Sequence, residues 1–216
     1  MEPFTLILVR HGQTLWNLEG RLQGHGDSPL SDTGIAQARA AAERLASIPI
    51  DALYASDLGR AMETARIVSE TTGRPLLPEP RIRERGLGPL EGLTAGDAAR
   101  EHPLVFRRYM SWDPDYAIPG GESEREVFER VGAWADRAAA RHGGGAAAAI
   151  THGGVLNVFL RRVLGVPLHV PRRFRIQNAA LHFFVYEDGA WLLERWGDTN
   201  HLPPPLLFDD QKTVRH

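Results

Sequence analysis

The chain has 216 residues, which is enough for one domain with a sizeable buried core. Its formal net charge of -2 provides no overall basic field for nucleic acid or an anionic membrane, and the absence of cysteine excludes disulfides, thiolate metal sites and a cysteine nucleophile. Residues 1–9 lack the pattern of a signal peptide, and no apolar run is long enough to span a bilayer. We therefore expect a cytoplasmic protein with neither nucleic acid nor a membrane as partner.

The first predicted element is a strand over Thr5–Val9. This run is apolar and continuous rather than alternating, as is typical of a strand that is buried on both faces. Arg10, His11 and Gly12 follow it directly. Because open α/β sheets bind ligands at the carboxyl ends of their strands, these three residues are the first candidates for a functional site.

A helix and a second strand are predicted next. Apolar residues recur at helical spacing from Thr33 onwards, with Ser31 or Asp32 as the capping residue, and Pro49 ends the pattern. The short run Ala52–Ala55 then predicts a strand.

The second predicted helix ends at Gly73, with Ser56 and Asp57 as candidate caps. Arg60 lies in its first turn, so we expect its guanidinium to reach the same edge of the sheet as the first candidates.

Residues 74–120 are less regular and contain many of the prolines. A helix-like piece is predicted at 98–110, and we expect the region from about 85 to 120 to lie over the sheet as a lid-like excursion. A long helix is predicted over Glu122–His142, ended by the glycines that follow.

The apolar run Ala146–Ile150 predicts another fully buried strand, and it too ends in a polar turn, which contains His152 and Gly153. A further helix follows this turn. Two later strands are predicted at Ala180–Tyr186 and Trp191–Trp196, joined by a tight turn.

Strands that alternate with helices predict an α/β protein. We expect one domain over residues 1–200, built as a three-layer sandwich with a mostly parallel central sheet and helices on both faces. Residues 201–216 contain three consecutive prolines and are predicted to form a C-terminal tail.

The main functional signal is that two buried strands each end in histidine followed by glycine, at His11 and at His152. Histidine at such a position serves as a base, a metal ligand or a nucleophile. Arg10 beside His11 disfavours a divalent cation, whereas arginine matches the oxygens of a phosphoryl group well. This pattern favours a neutral imidazole nucleophile in an anion site. One such tripeptide is a weak signal alone, so the interpretation depends on several motifs occurring in order.

Six blocks together resemble the histidine phosphatase superfamily, which includes the cofactor-dependent phosphoglycerate mutases. In chain order they are LVRHGQTLWN (8–17), RLQGHGDSPLSDTGIAQA (21–38), ASDLGRAMETA (55–65), ERGLGPLEG (84–92), PGGES (119–123) and ITHGG (150–154). The resemblance extends to about residue 200 and implies a phosphoglycerate mutase-like fold.

The resemblance also implies a role for individual residues. His11 would attack phosphorus and carry the phosphoryl group, and Glu84 would be the general acid and then the general base. The residues that would bind the phosphoryl group or line its side of the pocket are Arg10, Asn17, Gln23, Gly24, Arg60, His152 and Gly153. No metal ligand is implied, because arginines and histidine supply the charge stabilisation that phosphoryl transfer needs.

Two further residues have simpler interpretations. Glu91 is a second carboxylate close to Glu84 and is expected to be structural. His25 lies in a polar loop block and is expected to be exposed to solvent.

Three functions remain open, and the first is a phosphatase that acts on a small phosphorylated metabolite without a cofactor. The second is a mutase, which would require 2,3-bisphosphoglycerate, and the third is a phosphate-binding module without turnover. Mutases of the family have a longer insert before the second histidine, with a paired-arginine clamp, and usually asparagine after the glycine, whereas this chain has Gly153-Gly154. Both departures favour the phosphatase.

The substrate and the oligomeric state remain open at this stage. Within the excursion, Arg107, Arg108, Tyr109 and Trp112 are candidates for contacts with the organic half of the substrate. The two adjacent arginines are also the only candidates there for a clamp of the mutase type.

Overall fold

The computed structural model of the chain describes residues 2–207. The strands are β1 (Phe4–Arg10), β2 (Ala52–Ala55), β3 (Leu76–Pro78), β4 (Gly145–Thr151), β5 (Leu181–Glu187) and β6 (Ala190–Asp198). The helices are α1 (Leu15–Glu19), α2 (Asp32–Ala46), α3 (Gly59–Thr72), α4 (Ala95–Glu101), α5 (Pro103–Tyr109), α6 (Glu124–His142) and α7 (Gly153–Leu164).

The strands form one sheet in the order β3-β2-β4-β1-β5-β6. The first four of these run parallel to their neighbours, whereas β5 and β6 form an antiparallel hairpin that extends the sheet on one side. The predicted α/β class with a mostly parallel sheet is therefore confirmed. The hairpin makes the sheet mixed, because β5 and β6 are joined by a tight turn and need no crossover helix.

Both faces of the sheet are covered by helices. In β1, Leu6 and Leu8 pack against α6 and α7, whereas Ile7 and Val9 pack against α2 and α3. Alternate side chains of a strand point to opposite faces, so a strand that is covered on both sides must be apolar throughout. This explains why β1 reads as an uninterrupted apolar run, and it gives the three-layer sandwich.

Strand β4 is made largely of alanine, a residue with low strand propensity. Ala147 and Ala149 face α6 and α7, and Ala148 faces the opposite layer. All three side chains are fully buried, and the strand itself lies between β1 and β2. Burial on both faces overrides the local preference here, and the small side chains let helices of both layers approach the sheet closely.

Two expectations about local structure are wrong. The helix predicted at 98–110 is two short helices, α4 and α5, because Pro103 cannot continue the hydrogen bonds of α4 and instead occupies the first turn of α5. Neither Ser56 nor Asp57 caps α3, which begins after Leu58 without a side-chain cap. Both polar side chains have other partners. Strand β3, at the edge of the sheet, was not predicted.

Other helix boundaries follow their sequence signals. Ser31, one of the two predicted candidates, caps α2 by accepting a hydrogen bond from the backbone nitrogen of Gly34. Ser123 and Glu126 form a capping box at the start of α6.

The excursion has a small apolar core of its own, formed by Leu87, Leu90, Ala98 and Ile118. The backbone nitrogen of Leu22 donates to the carbonyl of Leu93, which ties the excursion to the loop after α1. The predicted division at residue 200 remains a prediction. Of the tail, only residues 201–207 are described, and the side chain of Gln37 in α2 donates to the carbonyl of Leu206. Residues 208–216 lie outside the described residues.

Candidate active site

The carboxyl ends of β1 and β4 bring the two predicted histidines together. These strands are parallel neighbours, and their register pairs Arg10 with Thr151. His11 and His152 are therefore the next residues at the same edge, with ring centroids 5.2 Å apart and planes tilted by 58°. Both side chains are buried. The backbone nitrogen of His11 also donates to the carbonyl of Thr151, at 2.9 Å.

His11 has a fixed tautomer. Its Nδ1 lies 2.7 Å from the carbonyl oxygen of Gly12, and a carbonyl only accepts, so Nδ1 carries the hydrogen and Nε2 has the lone pair. Burial lowers the pKa of His11 well below its ordinary value, and the charges of Arg60 and Arg10 lower it further, against an opposing effect of the Gly12 hydrogen bond. His11 is thus a neutral imidazole with a nucleophilic Nε2.

Gly12 is required at its position by close packing. A Cβ at Gly12 would overlap with the carbonyl oxygen of Gly34 in the first turn of α2. The backbone nitrogen of Gly12 donates to the hydroxyl of Thr64, and the side-chain amide of Asn178 donates to the carbonyl of His11. The segment after β1 is therefore held on both sides of His11.

Arg10 and Arg60 place two guanidinium groups beside His11, and both are almost fully buried. Arg10 donates to the carbonyl oxygen of Ile176 at 2.7 Å. Arg60 donates to the carbonyl oxygens of Gly24 and Gly26, at 2.8 and 2.9 Å. Two buried cations of this kind form a site for an anion of matching charge.

His152 directly precedes α7, and its two ring nitrogens have different surroundings. Its Nε2 lies 2.7 Å from the hydroxyl of Ser56, whereas its Nδ1 is buried and makes no hydrogen bond to the described residues. Burial lowers the pKa of His152 well below its ordinary value, followed by the effects of Arg60, His11 and Arg10. If Ser56 donates to Nε2, Nδ1 carries the hydrogen and is a buried donor. Ser56, which sequence reasoning assigned to a helix cap, thus orients the second histidine.

Glu84 reaches the same cavity from the loop that precedes the excursion. Its carboxylate accepts hydrogen bonds from the backbone nitrogens of Arg85, at 2.8 Å, and Gly154, at 2.9 Å. A Cβ at Gly154 would overlap with Oε1 of Glu84, so the close approach depends on glycine. The carbonyl of Glu84 accepts from the side chains of His25, at 2.9 Å, and Arg130, at 3.1 Å.

Helix α1 and the loop after it form another wall of the cavity. Asn17, Gln23 and Gly24 all line it, as predicted by the resemblance, and Gly153 does so from the start of α7. Gly24 has φ of 55°, a left-handed conformation that favours glycine.

Hydrogen bonds to Glu91 hold this loop in place. Its carboxylate accepts from the backbone nitrogens of His25, Gly26 and Leu87, at 2.7–2.8 Å. Glu91 therefore joins the loop to the excursion, in agreement with the structural role expected for it. His25 is exposed, as expected, although its imidazole contacts the Glu84 backbone.

The cavity has a volume of about 300 Å³, and residues of the excursion form part of its wall. Tyr109 and Trp112 line it, as predicted, but Arg107 and Arg108 do not. Both arginines are exposed, and Arg108 binds Asp113 and lies over the ring of Tyr116. The expectation that the adjacent arginines face the substrate is wrong. Tyr109, and not Arg107 or Arg108, occupies the side of the last turn of α5 that faces the cavity.

Sequence reasoning missed several other residues of the cavity wall, among them Arg85, Glu124, Asn157 and Arg172. A signal was present for one of them. Asn157 follows Gly153 by four residues, which places both on the same face of α7.

Two findings concern possible metal and membrane binding. Within residues 2–207, no group of three or more histidine or acidic side chains is arranged so that it could hold a metal ion. No helix in the same range is both long enough and apolar enough to cross a bilayer.

Comparison with protein families gives a match over nearly the whole chain. The model described as "Histidine phosphatase superfamily (branch 1)" matches residues 6–199. A protein of Yersinia pestis (strain Pestoides F), named "Probable phosphoglycerate mutase GpmB", is 36% identical over 212 residues, which cover 96% of this chain and 99% of that protein.

Solved structures with the same fold include enzymes with different names. Bacillus stearothermophilus YhfR is 31% identical, with a TM-score of 0.86 over 93% of this chain and 100% of its own. The mycobacterial glucosyl-3-phosphoglycerate phosphatase, in complex with VO3, is 30% identical, with a TM-score of 0.78 over 89% of this chain and 98% of its own.

Proposed function

The chain belongs to the histidine phosphatase superfamily, and we propose that it is a metal-independent phosphomonoester hydrolase that forms a phosphohistidine on His11. Members of the superfamily are phosphatases or mutases. The observation that carries the proposal is the state of His11: a neutral imidazole, fixed by Gly12, buried beside two guanidinium groups.

In the first step, Nε2 of His11 attacks phosphorus while the bond to the ester oxygen breaks. The in-line transition state carries its charge on three equatorial oxygens, to which Arg10, Arg60 and His152 would donate. Arginine forks neutralise this charge, which is why the proposal needs no metal ion.

The departing alkoxide is a poor leaving group and needs a proton. Glu84 is the acid that supplies it, because its carboxyl group is held at the edge of the cavity by Gly154 and Arg85. In the second step, Glu84 takes a proton from water, which attacks phosphorus and breaks the bond to Nε2. Inorganic phosphate leaves and His11 is regenerated as the free imidazole.

A phosphoglycerate mutase is the second candidate, and the name of the Yersinia pestis relative is the observation that favours it. In that reaction, 2,3-bisphosphoglycerate would supply the phosphoryl group on His11, and the sugar acid instead of water would accept it. Two features favour the hydrolase. Arg107 and Arg108 lie outside the cavity wall, where they cannot clamp a substrate carboxylate, and Gly154 stands where mutases usually have asparagine.

The test is a pair of assays on the purified protein in excess EDTA, with the His11→Ala variant as control. One assay follows phosphate release from p-nitrophenyl phosphate and 3-phosphoglycerate. The other follows interconversion of 2- and 3-phosphoglycerate in the presence of catalytic 2,3-bisphosphoglycerate. Phosphate release that is lost in the variant is the expected result.

Other outcomes are equally informative. Fast interconversion with little release would replace the hydrolase by the mutase. Activity that EDTA abolishes would contradict metal independence. Phosphate release that persists in His11→Ala would exclude His11 as the nucleophile.

A further inference from the structure

The part of the cavity that lies away from His11 contains polar side chains that the transfer steps do not use. Glu124 is the first residue of α6 and Asn157 lies in α7, and both line the cavity. Nδ2 of Asn157 donates to Oε1 of Glu124, at 2.8 Å. We call Glu124 and Asn157 the distal pair.

The orientation of the distal pair is fixed from behind. Arg161 is almost fully buried, and its Nε donates to Oδ1 of Asn157 at 3.0 Å, while its Nη1 donates to the carbonyl of Pro167. Because Arg161 occupies the amide oxygen, the amide nitrogen must point to Glu124. Oε2 of Glu124 makes no hydrogen bond within residues 2–207, and Glu124 lines the cavity.

The distal pair adjoins the proposed general acid. Tyr109 forms part of the wall, and burial raises the pKa of its hydroxyl, which also senses the charges of Arg85, Glu84, Glu124 and Arg172. Burial raises the pKa of Glu124 as well, and Glu84 adds to this effect. Glu84 and Glu124 line the same cavity, so a leaving group whose ester oxygen is at Glu84 shares that cavity with Glu124.

The charges around the distal pair distinguish between possible leaving groups. Glu124 lies within electrostatic range of Arg161 and Arg85, and both favour its charged form. An ammonium group that binds Glu124 would therefore also meet the positive charges of these two arginines. An apolar leaving group would cover Oε2 without a donor, which costs about 1–3 kcal/mol for a buried polar atom. A neutral hydroxyl donates to Oε2 and avoids both penalties.

Aromatic surface complements these hydrogen-bonding groups. Tyr109 and Trp112 line the cavity, and Trp112 is 44% exposed. Binding sites commonly combine aromatic walls with a few placed polar groups, of which the polar ones determine specificity. The volume of about 300 Å³ accommodates a leaving group larger than a short alcohol.

We propose, on the basis of the proposed function, that the distal pair is a specificity subsite in which Glu124 accepts a hydrogen bond from a hydroxyl group of the leaving group. The preferred substrates are then phosphate monoesters of polyols or sugars. Asn157 and Arg161 are positioning residues that hold the carboxylate of Glu124.

The test compares three phosphate esters of similar size: sn-glycerol 3-phosphate, n-propyl phosphate and phosphoethanolamine. For each, kcat/KM is measured with the natural protein and with Glu124→Leu, Glu124→Gln and the control Glu129→Gln, which changes an exposed glutamate of the same helix. The natural protein should prefer the glycerol ester. Glu124→Leu should reduce the ratio of the glycerol to the propyl ester by at least about tenfold, since a hydrogen bond to a charged group is lost.

Glu124→Gln separates a hydrogen bond from a charge. In this variant the amide oxygen accepts from Asn157, so the amide nitrogen takes the place of Oε2 and donates to the hydroxyl instead of accepting from it. The same ratio should therefore fall by only about threefold, in keeping with a neutral hydrogen bond. Glu129→Gln should leave the ratio as it is. Equal losses on the glycerol and propyl esters in Glu124→Leu would overturn the proposal. A preference for phosphoethanolamine that both Glu124 variants abolish would also overturn it, in favour of an ammonium subsite.

A binding measurement distinguishes failure of the subsite from failure of the proposed function. The three esters are titrated by calorimetry into His11→Ala, with and without Glu124→Leu. If no ester is hydrolysed by the natural protein, the proposed function fails. The ratio of Kd values for the glycerol and propyl esters still tests the subsite: a ratio that Glu124→Leu lowers about tenfold supports it, and an unchanged ratio overturns it.

Discussion

The phosphate end of the cavity and the leaving-group end are held in different ways. At the phosphate end, Arg10, His11, Arg60 and His152 are at most 5% exposed, and the first three have backbone carbonyl partners. At the leaving-group end, the excursion contributes Tyr109 and Trp112, of which the first is only partly buried and the second is exposed.

The difference follows from the cost of burying charge. A guanidinium or an imidazole that is removed from water must find hydrogen bonds inside the protein, so its geometry is set by the backbone around it. The side chains of the excursion that keep contact with water need no such network. The phosphate end is thus constrained by the fold, whereas the leaving-group end can vary with the substrate.

The strongest test of this comparison is Glu84, which stands between the two ends. We expect Glu84→Gln to reduce kcat/KM for an alkyl phosphate by about 10³-fold, because the amide cannot protonate the leaving oxygen. For p-nitrophenyl phosphate, whose leaving group needs no proton, the loss should be about tenfold. Equal losses for the two substrates would show that Glu84 is not the acid.

The backbone of α7 should matter almost as much. An added methyl group in Gly154→Ala overlaps with Oε1 of Glu84, so the carboxylate must move. We expect a loss of about 10² in kcat/KM for alkyl phosphates, measured by phosphate release. Gly96→Ala is the matched control, because a Cβ at this exposed position makes only an ordinary contact with Thr94. Similar rates in the two variants would contradict the positioning role of Gly154.

The buried histidines should make stability depend on pH. Burial lowers the pKa of His182 to about 3, and it lowers those of His11 and His152 well below the ordinary 6.5. The unfolded chain takes up protons near pH 6.5 but the folded chain does not, so this stability is complete above about pH 6.5 and is lost as the pH falls. Each histidine should contribute about 1.4 kcal/mol per pH unit below that point.

Urea unfolding at several values between pH 7.5 and 5 measures this slope. His182 has no role in the proposed reaction and lies beside Trp196. The variant His182→Gln therefore tests the contribution of one histidine to the pH dependence of stability. The slope in this variant should be smaller by about 1.4 kcal/mol per pH unit. A slope identical to that of the natural protein would contradict the prediction.

A smaller effect is expected for Ser56, which acts on the reaction only through His152. Ser56→Ala removes the hydrogen bond to Nε2 of His152. The loss of one such bond corresponds to about a fivefold decrease in kcat/KM. Ser47→Ala, which removes an exposed hydroxyl from the end of α2, is the control. An increase in KM without a decrease in kcat would assign Ser56 to substrate binding alone.

The smallest effect is expected at Arg107, which the sequence placed among the substrate contacts. Its side chain is exposed and does not line the cavity. Arg107→Ala should leave kcat/KM within about twofold for every member of a substrate panel, as is usual for an exposed side chain. A change in the order of preferred substrates would show that the excursion moves Arg107 into the cavity.

Several local features were readable from the sequence because they depend on neighbouring residues only. Apolar runs gave β1 and β4, and Ser31 gave the start of α2. The resemblance supplied the set of candidate residues, and the structure brings His11 and His152 together because β1 and β4 are adjacent and parallel. That adjacency is consistent with the buried character of both strands.

Only the tertiary structure decided which distant groups meet. Ser56 lies 96 residues from His152, Glu84 lies 70 residues from Gly154, and Glu124 lies 33 residues from Asn157. No local pattern encodes these pairs, since they arise from the insertion of β4 between β1 and β2 and from the packing of α7 against α6. The sequence by itself determined most of the helices and strands and the polar residues at their ends. The order of the strands in the folded sheet determined which of these residues form the site.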